Sequence, residues 1–362
     1  MTHTSDAFCV FHLVRTLSIK LATQKDAHKW NEIVERDPQG NFFDRFEWCT
    51  GLGVISEKIN PLPLFIEEDG KVIGIFPSCL IRDSLRRSLE SLPFSDYGGG
   101  PFFRKKAIVE CPEFFAEFIN NLMELGSKNY CLNMSIRRAY FQDLINKNMV
   151  NKPVITDTNT CTFFISLQEE IDRIYQGLKK SRRVSIKEGR KRGAVIRQAE
   201  DLNDLRRYYK IYVYTMNRLK SAPLPYRFFE YVWKVFSPKN EVKIFMAEYN
   251  NKPIAGILQF FYKKVCYWAG NVSLEGYWDK RPTDLLLWHS IEWAVANKFE
   301  LFDMGSTIND PSSGHYFFKK TWGGKKMTLY NYHILLQPSK YRLYKLGNKL
   351  VSKIKNAGAR LL

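Results

Sequence analysis

One order of strands and helices occurs twice along the 362 residues of this chain, and this repetition limits the folds it can adopt. Each half begins with a short alternating strand and a capped helix, followed by a hairpin and an aromatic, glycine-bearing stretch. Each half then ends with a long helix and a strand. The order β-α-β-β-β-α-β thus recurs after roughly 175 residues, which predicts a duplicated α/β architecture.

Local signals support this order in both halves. Thr23 and Asp201 precede predicted helices, where such side chains can accept hydrogen bonds from the first turn. The hairpins turn at DGK (residues 69–71) and NNK (250–252), and Asp, Asn and Gly tolerate the positive φ angles of tight turns. The predicted strands are 17–23, 62–68, 72–81, 130–136, 161–167, 194–199, 242–249, 254–262 and 301–304, and the predicted helices are 26–36, 113–125, 169–177, 202–218 and 284–297.

The repeat divides the chain into an N-terminal domain over residues 1–155 and a C-terminal domain over 156–337, which carries the candidate site. A basic amphipathic helix is expected over 338–362, with lysines opposite an apolar stripe formed by Leu343, Leu346, Leu350 and Ile354. Such a helix can dock on the body of the protein or lie on an anionic membrane surface. The sequence leaves both alternatives open.

Composition excludes several classes of protein. Hydrophobic residues make up 45% of the chain, as in a globular protein, and the formal net charge of +18 attracts nucleic acid, phosphorylated cofactors or an acidic membrane face. The seven scattered cysteines suit a reduced core, and no spacing of ligands predicts a metal site. Without a signal peptide or an apolar span of about 20 residues, the chain is expected in the cytoplasm or peripherally at the inner face of the membrane.

The segment GHYFFKKTWGG, residues 314–324, is the strongest candidate for chemistry. Read as a loop rich in glycine and aromatic residues, it presents Lys319, whose ammonium can stabilise an oxyanion formed during acyl transfer. His315 in the same segment is a candidate base. Asp96 and Asp303 end strands near the expected cleft, where each can orient an attacking amine or cap a turn.

That segment also carries a resemblance to a known family. The chain matches the pattern G-x-x-x-F-K-x-x-W-G, which closes the FemAB-like aminoacyltransferases and related GNAT-like (CelD/BioF-like) acyltransferases, at Gly314, Phe318, Lys319, Trp322 and Gly323. The helix LLLWHSIEWA (285–294), the following FDMG (302–305) and LPFSDYG (92–98) are similar to the same family. The resemblance covers roughly residues 41–332.

The resemblance implies a fold of two tandem GNAT-like (acyl-CoA N-acyltransferase-like) domains, with mixed sheets flanked by helices. It also implies an N-acyltransferase that moves an aminoacyl or acyl group onto an amine of a phosphorylated, peptidoglycan-precursor-like acceptor. It supports Lys319 as a catalytic residue and makes Arg218 a ligand of the acceptor's phosphates. With such a cleft, Phe318, Trp322 and Tyr97 are expected to form its walls and exclude water.

The basic segment at residues 179–192 has eight basic residues among fourteen. Such a run is either a solvated face or a phosphate-binding surface for tRNA or a nucleotide-linked acceptor, with Lys179, Arg182 and Arg183 as the expected ligands.

Two departures from related proteins leave the donor open. The paired-helix arm that some family members insert in the second domain is absent, which weakens the case for aminoacyl-tRNA. The turn WDKRPTD (278–284) lacks the glycines with which many acyl-CoA enzymes hold a pyrophosphate. A different class of function, a non-catalytic RNA- or membrane-surface-binding protein on the same fold, explains the positive charge equally well but not the segment 314–324.

Overall fold

Strands from both halves join one continuous sheet in the computed structural model, which describes residues 16–96, 98–103, 112–138 and 150–358. Its strands are β1 (Leu17–Leu21), β2 (Ile59–Glu68), β3 (Lys71–Arg82), β4 (Arg87–Glu90), β5 (Phe102–Phe103), β6 (Asn133–Arg138), β7 (Val154–Ser166), β8 (Val195–Gln198), β9 (Val242–Tyr249), β10 (Lys252–Tyr262), β11 (Val265–Ser273), β12 (Leu301–Asp303), β13 (Thr307–Ile308) and β14 (Lys325–Leu335).

Helices flank this sheet, and three of them occupy the positions that the repeat predicts for long helices. The helices are α1 (Ala27–Arg36), α2 (Phe46–Gly51), α3 (Pro112–Lys128), α4 (Ile171–Gly177), α5 (Lys180–Lys191), α6 (Leu202–Arg218), α7 (Tyr226–Phe236), α8 (Pro282–Ala296), α9 (Gly314–Lys320) and α10 (Pro338–Gly358). Helix α6 begins as predicted, because the Asp201 side chain accepts from the amides of Asn203 and Asp204, each at 2.9 Å.

The strand order shows the repeat directly. The main path runs β1-β2-β3-β4-β6-β14-β7-β12-β11-β10-β9-β8. Each half contains one parallel pair, β4 with β6 and β11 with β12, within otherwise antiparallel pairing. Strand β14 joins the halves, since it pairs with β6 on one side and β7 on the other. The domain limits at residues 155 and 337 stay a prediction, because a shared sheet does not define them.

The predicted turns form where the sequence places them. Asp69 and Gly70 between β2 and β3 have φ angles of 48° and 74°, and Asn250 and Asn251 between β9 and β10 have 49° and 59°. These are the left-handed angles that tight hairpins require and that Gly, Asn and Asp adopt most easily.

Two segments differ from their prediction. The aromatic stretch 92–101 corresponds to the third strand that the repeat predicts in the first half. Its described residues, 92–96 and 98–101, instead follow β4 as irregular backbone, because Leu92 and Phe94 have positive φ angles of 38° and 60°. Residues 314–320, read as a loop, form the helix α9. Burial explains this helix, since Tyr316 and Lys319 lie one turn apart and both face the interior.

The two halves share a core of aromatic side chains. The rings of Phe42 and Phe260 stack with centroids 4.3 Å apart, and Trp48 packs edge-on against Phe260 at 5.2 Å. Helix α7, which the repeat did not include, contributes Phe228 and Phe236 to the same cluster. The position of the first half against the second is therefore fixed by packing as well as by β14.

Helix α10 docks through tyrosines rather than through the predicted leucine stripe. Tyr341 is buried against Leu132 and Leu335, and Tyr344 packs beside it. Leu343 and Leu346 remain 68% and 59% exposed, and the side chains of Leu350 and Ile354 lie outside the described residues. Among the helices that the structure describes, none has the length and apolar character needed to cross a bilayer.

Candidate active site

A cavity opens where the parallel strands β11 and β12 separate. The two strands pair as far as Tyr267 and Asp303, and the lining of the cavity begins with the next residues, Trp268 and Met304. Its volume is about 500 Å³, enough for a small substrate group. We call it the site cavity, and its lining comes from β11, the residues after β12, the start of α8, helix α9 and Asp96.

Gly305 turns the chain beside this cavity. Its φ angle is 68°, and a Cβ atom there would lie 2.8 Å from the carbonyl oxygen of Trp268, so a side chain would strain the backbone and collide with β11. The Gly305 amide donates to Asp303 Oδ1 at 2.9 Å, and the Thr162 hydroxyl donates to the same oxygen at 2.7 Å. Asp303 is fully buried and does not line the site cavity, so its carboxyl group holds the Gly305 turn from behind.

Lys319 reaches the other side of that turn. Its ammonium donates to the carbonyl oxygens of Gly305 and Ser306, each at 2.8 Å, and lies 5.0 Å from the centre of the Trp268 ring. An ammonium has three N–H donors, and among the described residues only these two carbonyls accept from Lys319, which leaves one donor for a ligand in the cavity. Only 7% of Lys319 is exposed, which makes a hydrogen bond from it stronger than one in water.

Burial changes the ionisation of both groups on this turn. It lowers the pKa of Lys319 below the ordinary 10.5, against the opposing attraction of Asp96 and Asp303. Burial, followed by repulsion from Asp96, raises the pKa of Asp303 well above its ordinary 3.8. Asp303 Oδ2 has no hydrogen-bond partner among the described residues, so a negative charge on this oxygen would have no hydrogen bond to compensate its burial.

Asp96 is supplied by the first half of the chain. Its Oδ1 accepts from the amide of Ser306 at 3.1 Å and from the Ser306 hydroxyl at 2.7 Å. Asp96 and Ser306 are 210 residues apart in sequence, so this contact also ties the two halves together at the cavity. Asp96 is half-buried and lines the cavity, as its prediction as a substrate ligand requires.

Some of the other residues predicted around the segment 314–324 line the site cavity, and others do not. His315 and Phe318 line the site cavity, and His315 is exposed. Trp322 is 1% exposed and packs in the core below α9, so it lines none of the three cavities described in this protein. Tyr97 lies outside the described residues.

A second cavity of about 300 Å³ lies at the start of α8, and we call it the helix-end cavity. It shares Thr283 and Phe318 with the site cavity, so the two cavities are adjacent. The guanidinium of Arg218 stacks on the ring of Trp278, which lines this cavity, at 4.8 Å. The free amides and the dipole at a helix N-terminus also favour an anion at this position.

The basic residues at the start of α5 differ in their partners. Lys179 is exposed, with its ammonium 4.8 Å from the centre of the Phe317 ring. Arg182 forms a 2.7 Å ion pair with Asp284 and stacks on Phe318. Arg183 donates to the carbonyls of residues 176 and 178 at 2.6 and 2.7 Å. Lys179 and Arg218 are thus open to solvent, whereas Arg182 and Arg183 are engaged within the protein.

Three residues that line the site cavity were not predicted from the sequence as site residues. Trp268, Ser306 and Thr283 all line the site cavity. Trp268 and Ser306 stand in stretches that the sequence marked as unusual, but their roles depend on contacts with Lys319 and Asp96 from distant parts of the chain. Thr283 gave a signal only through its place after Pro282, which is typical of a helix start.

Comparison with known proteins agrees with this geometry. The family model described as Acetyltransferase (GNAT) domain matches residues 177–320, which include the parallel strands, α8 and α9. No curated protein sequence matches the chain.

Solved structures extend the likeness over both halves. A crystal structure of FemX is similar with a TM-score of 0.65 and 12% identity, covering 90% of this chain and 99% of that one. A tandem GNAT protein from the clavulanic acid biosynthesis pathway has a TM-score of 0.54 and 7% identity, covering 89% and 98%. L-PGS from Bacillus licheniformis has a TM-score of 0.53 and 10% identity, and the match covers 85% of this chain and 91% of that one. The predicted fold, a mixed α/β architecture of two GNAT-like domains, is confirmed.

Proposed function

We propose, on the premise that residues 177–320 form a GNAT acetyltransferase domain, that this chain is an N-acyltransferase with its reacting centre in the site cavity. The observation that carries the proposal is the Lys319 ammonium. It is buried at the end of a parallel strand pair, held by two carbonyls, and has one donor left for a ligand.

The reaction needs an activated carbonyl and a free amine. The amine nitrogen attacks the carbonyl carbon of an ester or thioester, and the carbonyl oxygen becomes an oxyanion. The C–O or C–S bond then breaks, the leaving oxygen or sulfur takes a proton, and the nitrogen loses one. The described lining contains no cysteine, and its one serine, Ser306, gives both its hydroxyl and its amide to Asp96 Oδ1, as a turn contact does. We therefore propose direct transfer in a ternary complex rather than a covalent intermediate on Ser306.

Lys319 is assigned the stabilisation of the oxyanion. Its third N–H is directed by two fixed hydrogen bonds, so little reorganisation is needed when the negative charge develops. His315 is the candidate acceptor for the amine proton, since it lines the cavity and is reached by solvent. Asp303 is a positioning residue, because it acts on Lys319 through the Gly305 turn.

The helix-end cavity suits the phosphate portion of a substrate. It adjoins the site cavity, exposed Arg281 lines it, and Arg218 stacks on the lining ring of Trp278, so positive charge lies beside it. Lys179, exposed at the start of α5, is kept as a further phosphate ligand by proposal. A phosphate here fits both candidate donors, acyl-CoA and aminoacyl-tRNA, as well as a phosphorylated acceptor. We assign Arg182 and Arg183 a supporting role at this end, since both already have protein partners.

Arg218 provides a direct test of the phosphate assignment. Arg218→Ala should weaken the binding of CoA or tRNA, and the loss should shrink as salt rises, because screening removes the contribution of the charge. The matched control is Arg206→Ala, which removes an exposed arginine from the same helix α6. Binding that does not respond to salt, or an equal loss in both variants, contradicts the assignment.

The acceptor is proposed to be an amine-bearing, phosphorylated or lipid-linked molecule of the cell envelope, such as a peptidoglycan precursor. The resemblance of residues 314–323 to the pattern of the FemAB-like aminoacyltransferases supports this class. Helix α10 supports a contact with a lipid surface, because it exposes Leu343 and Leu346 and contains six basic and no acidic residues over residues 338–358.

Mass spectrometry of the purified full-length chain tests the function. Incubation with acetyl-CoA or with a mixture of aminoacyl-tRNAs, together with a panel of amines, should yield an amide with one class of donor. The donor that co-purifies with the protein should be the one that reacts. Absence of any amide, combined with retained binding of tRNA, would favour a non-catalytic RNA-binding protein instead.

A further inference from the structure

A third cavity lies between the two halves and is lined mainly by rings. Its volume is about 250 Å³, and eight aromatic residues contribute to its lining. Phe43, Trp48 and Phe94 come from the first half, and helices α6 and α7 with strands β10 and β11 supply the rest. We call it the aromatic cavity. Of the described residues that line it, only Asp96 carries a charge.

The aromatic cavity meets the site cavity at a thin partition. Asp96, Ala269 and Gly270 line both. Ala269 is the extra residue of a bulge in β11, where the register with β10 shifts. A Cβ atom on Gly270 would lie 3.1 Å from the Tyr208 hydroxyl, so even a methyl group would crowd this point. The smallest residues of the strand therefore stand where the two cavities approach each other.

The carboxylate at this partition is oriented by the protein. Both hydrogen bonds from Ser306 end on Asp96 Oδ1, which leaves Oδ2 without a hydrogen bond from the residues that the structure describes. A carboxylate oxygen in a half-buried position attracts an ammonium group and binds it more strongly than one in water. An amine bound at Oδ2 would have the reacting centre on one side and the aromatic cavity on the other.

Phe94 lines the aromatic cavity at the protein surface, and hydrogen bonds anchor the residue next to it. Phe94 is 54% exposed and has a φ angle of 60°, which is unusual for a bulky residue. Its neighbour Ser95 receives hydrogen bonds from the Trp48 indole at 2.8 Å and from Arg137 at 3.0 Å. A large apolar side chain kept at the surface in this way is consistent with a binding mouth.

We propose that the aromatic cavity binds the apolar side group of the acceptor, a ring or a branched aliphatic chain, while Asp96 binds the acceptor's amine. A cavity of about 150 Å³ already holds benzene, so about 250 Å³ accommodates such a group. The assignment of this molecule as acceptor rests on the proposed acyltransfer, whereas its binding does not. The part of the acceptor that carries the amine is thus hydrophobic rather than small and polar.

Binding of two simple amines, measured by NMR titration of the full chain without any donor, tests this proposal. Phenylalaninamide should bind about tenfold more tightly than glycinamide, because only the former buries a ring. Asp96→Asn should weaken both amines. Equal affinity of the two amines for the wild-type protein overturns the proposal.

Variants on one helix locate the ring. Tyr212→Ala should remove the preference for phenylalaninamide, whereas Tyr214→Ala, an exposed tyrosine on the same helix, should preserve it. Because Tyr212 also accepts a hydrogen bond from the Leu224 amide, Phe94→Ala at the exposed mouth serves as a second variant that should not disturb folding. A preference that survives in Phe94→Ala and in folded Tyr212→Ala places the ring elsewhere and overturns the proposal.

The two proposals fail in different ways. Selective amine binding without amide formation from any donor would sink the acyltransferase assignment and leave the cavity assignment intact. Amide formation with equal efficiency for both amines would sink the cavity assignment and leave the acyltransferase assignment intact.

Discussion

Three side chains define the chemistry at the scale of single residues, and each depends on the others. Asp303 holds the amide of Gly305, Lys319 holds its carbonyl, and Asp96 holds the next residue, Ser306. The buried Lys319 ammonium is therefore positioned by a turn that two aspartates stabilise from opposite sides. Replacing either carboxyl group should therefore shift the position of the Lys319 ammonium, because each aspartate binds a residue whose carbonyl Lys319 also binds.

Asp303→Asn should change how the stability of the protein depends on pH, because the pKa of Asp303 is raised. The folded protein keeps a proton that the unfolded chain releases above about pH 4, so the wild-type protein loses stability as pH rises through this window. Asparagine resembles the neutral acid and removes that loss. The melting temperature of Asp303→Asn should rise relative to wild type as the pH increases above about 4.

Asp310→Asn is the matched control for this measurement. Hydrogen bonds from Ser312 lower the pKa of Asp310, so this group is ionised in both states above about pH 5. The difference in melting temperature between Asp310→Asn and wild type should not grow between about pH 5 and about pH 8. If the difference in melting temperature between Asp303→Asn and wild type also stays constant with pH, Asp303 is ionised in the folded protein.

At the scale of elements, the short helix α9 and the turn after it place Lys319. Gly323 has a φ angle of 79°, and a Cβ atom there would lie 2.9 Å from the Gly177 carbonyl oxygen. Gly323→Ala should therefore destabilise the protein by at least about 1–2 kcal/mol, measured by urea unfolding.

Gly314→Ala provides the comparison within the same motif. Gly314 is the first residue of α9, and a Cβ atom there would have no atom within 4 Å. Alanine favours a helix by up to about 1 kcal/mol over glycine, so this variant should be neutral or slightly more stable. Equal destabilisation in the two variants would contradict the role assigned to the Gly323 turn.

The elements that sequence predicted well are those with local signals. The Asp201 cap, the Asp-Gly and Asn-Asn turns and the long amphipathic helices each depend on neighbours within a few residues. Strand β14 and the partners of Asp96 depend on contacts across about 160 to 210 residues, which no local pattern encodes. Helix α9 was missed because glycine and aromatic residues at its start resemble a loop, whereas burial of Tyr316 and Lys319 decides the structure.

At the scale of the whole molecule, β14 and the aromatic core make the two halves one structural unit. The site cavity draws residues from both halves, and the aromatic cavity lies between them. The sequence predicted that Asp96 of the first half would lie near a cleft associated with two domains, but not that Asp96 would bind Ser306 on the turn that Lys319 holds. A resemblance of motifs identified Lys319, whereas only the folded chain brings Asp96 to it.

The net charge of +18 and helix α10 together predict binding to anionic membranes. The protein should sediment with vesicles that contain phosphatidylglycerol and not with phosphatidylcholine alone. Replacing both Leu343 and Leu346 by Ser should weaken this binding by about tenfold, since two exposed apolar side chains are lost. Leu21→Ser, at an exposed position on the edge strand β1, is the control and should have no effect. Equal binding to both kinds of vesicle would argue against an electrostatic membrane contact.

The central claim is that Lys319 stabilises the oxyanion of an acyl transfer, and single-turnover amide formation tests it most directly. Lys319→Met should lower the rate by about 10²–10³ without weakening donor binding, because one oxyanion donor is removed. Lys320→Met, which removes the exposed lysine next to it on α9, should leave the rate within about twofold of wild type. An unchanged rate in a folded Lys319→Met variant would contradict the assignment.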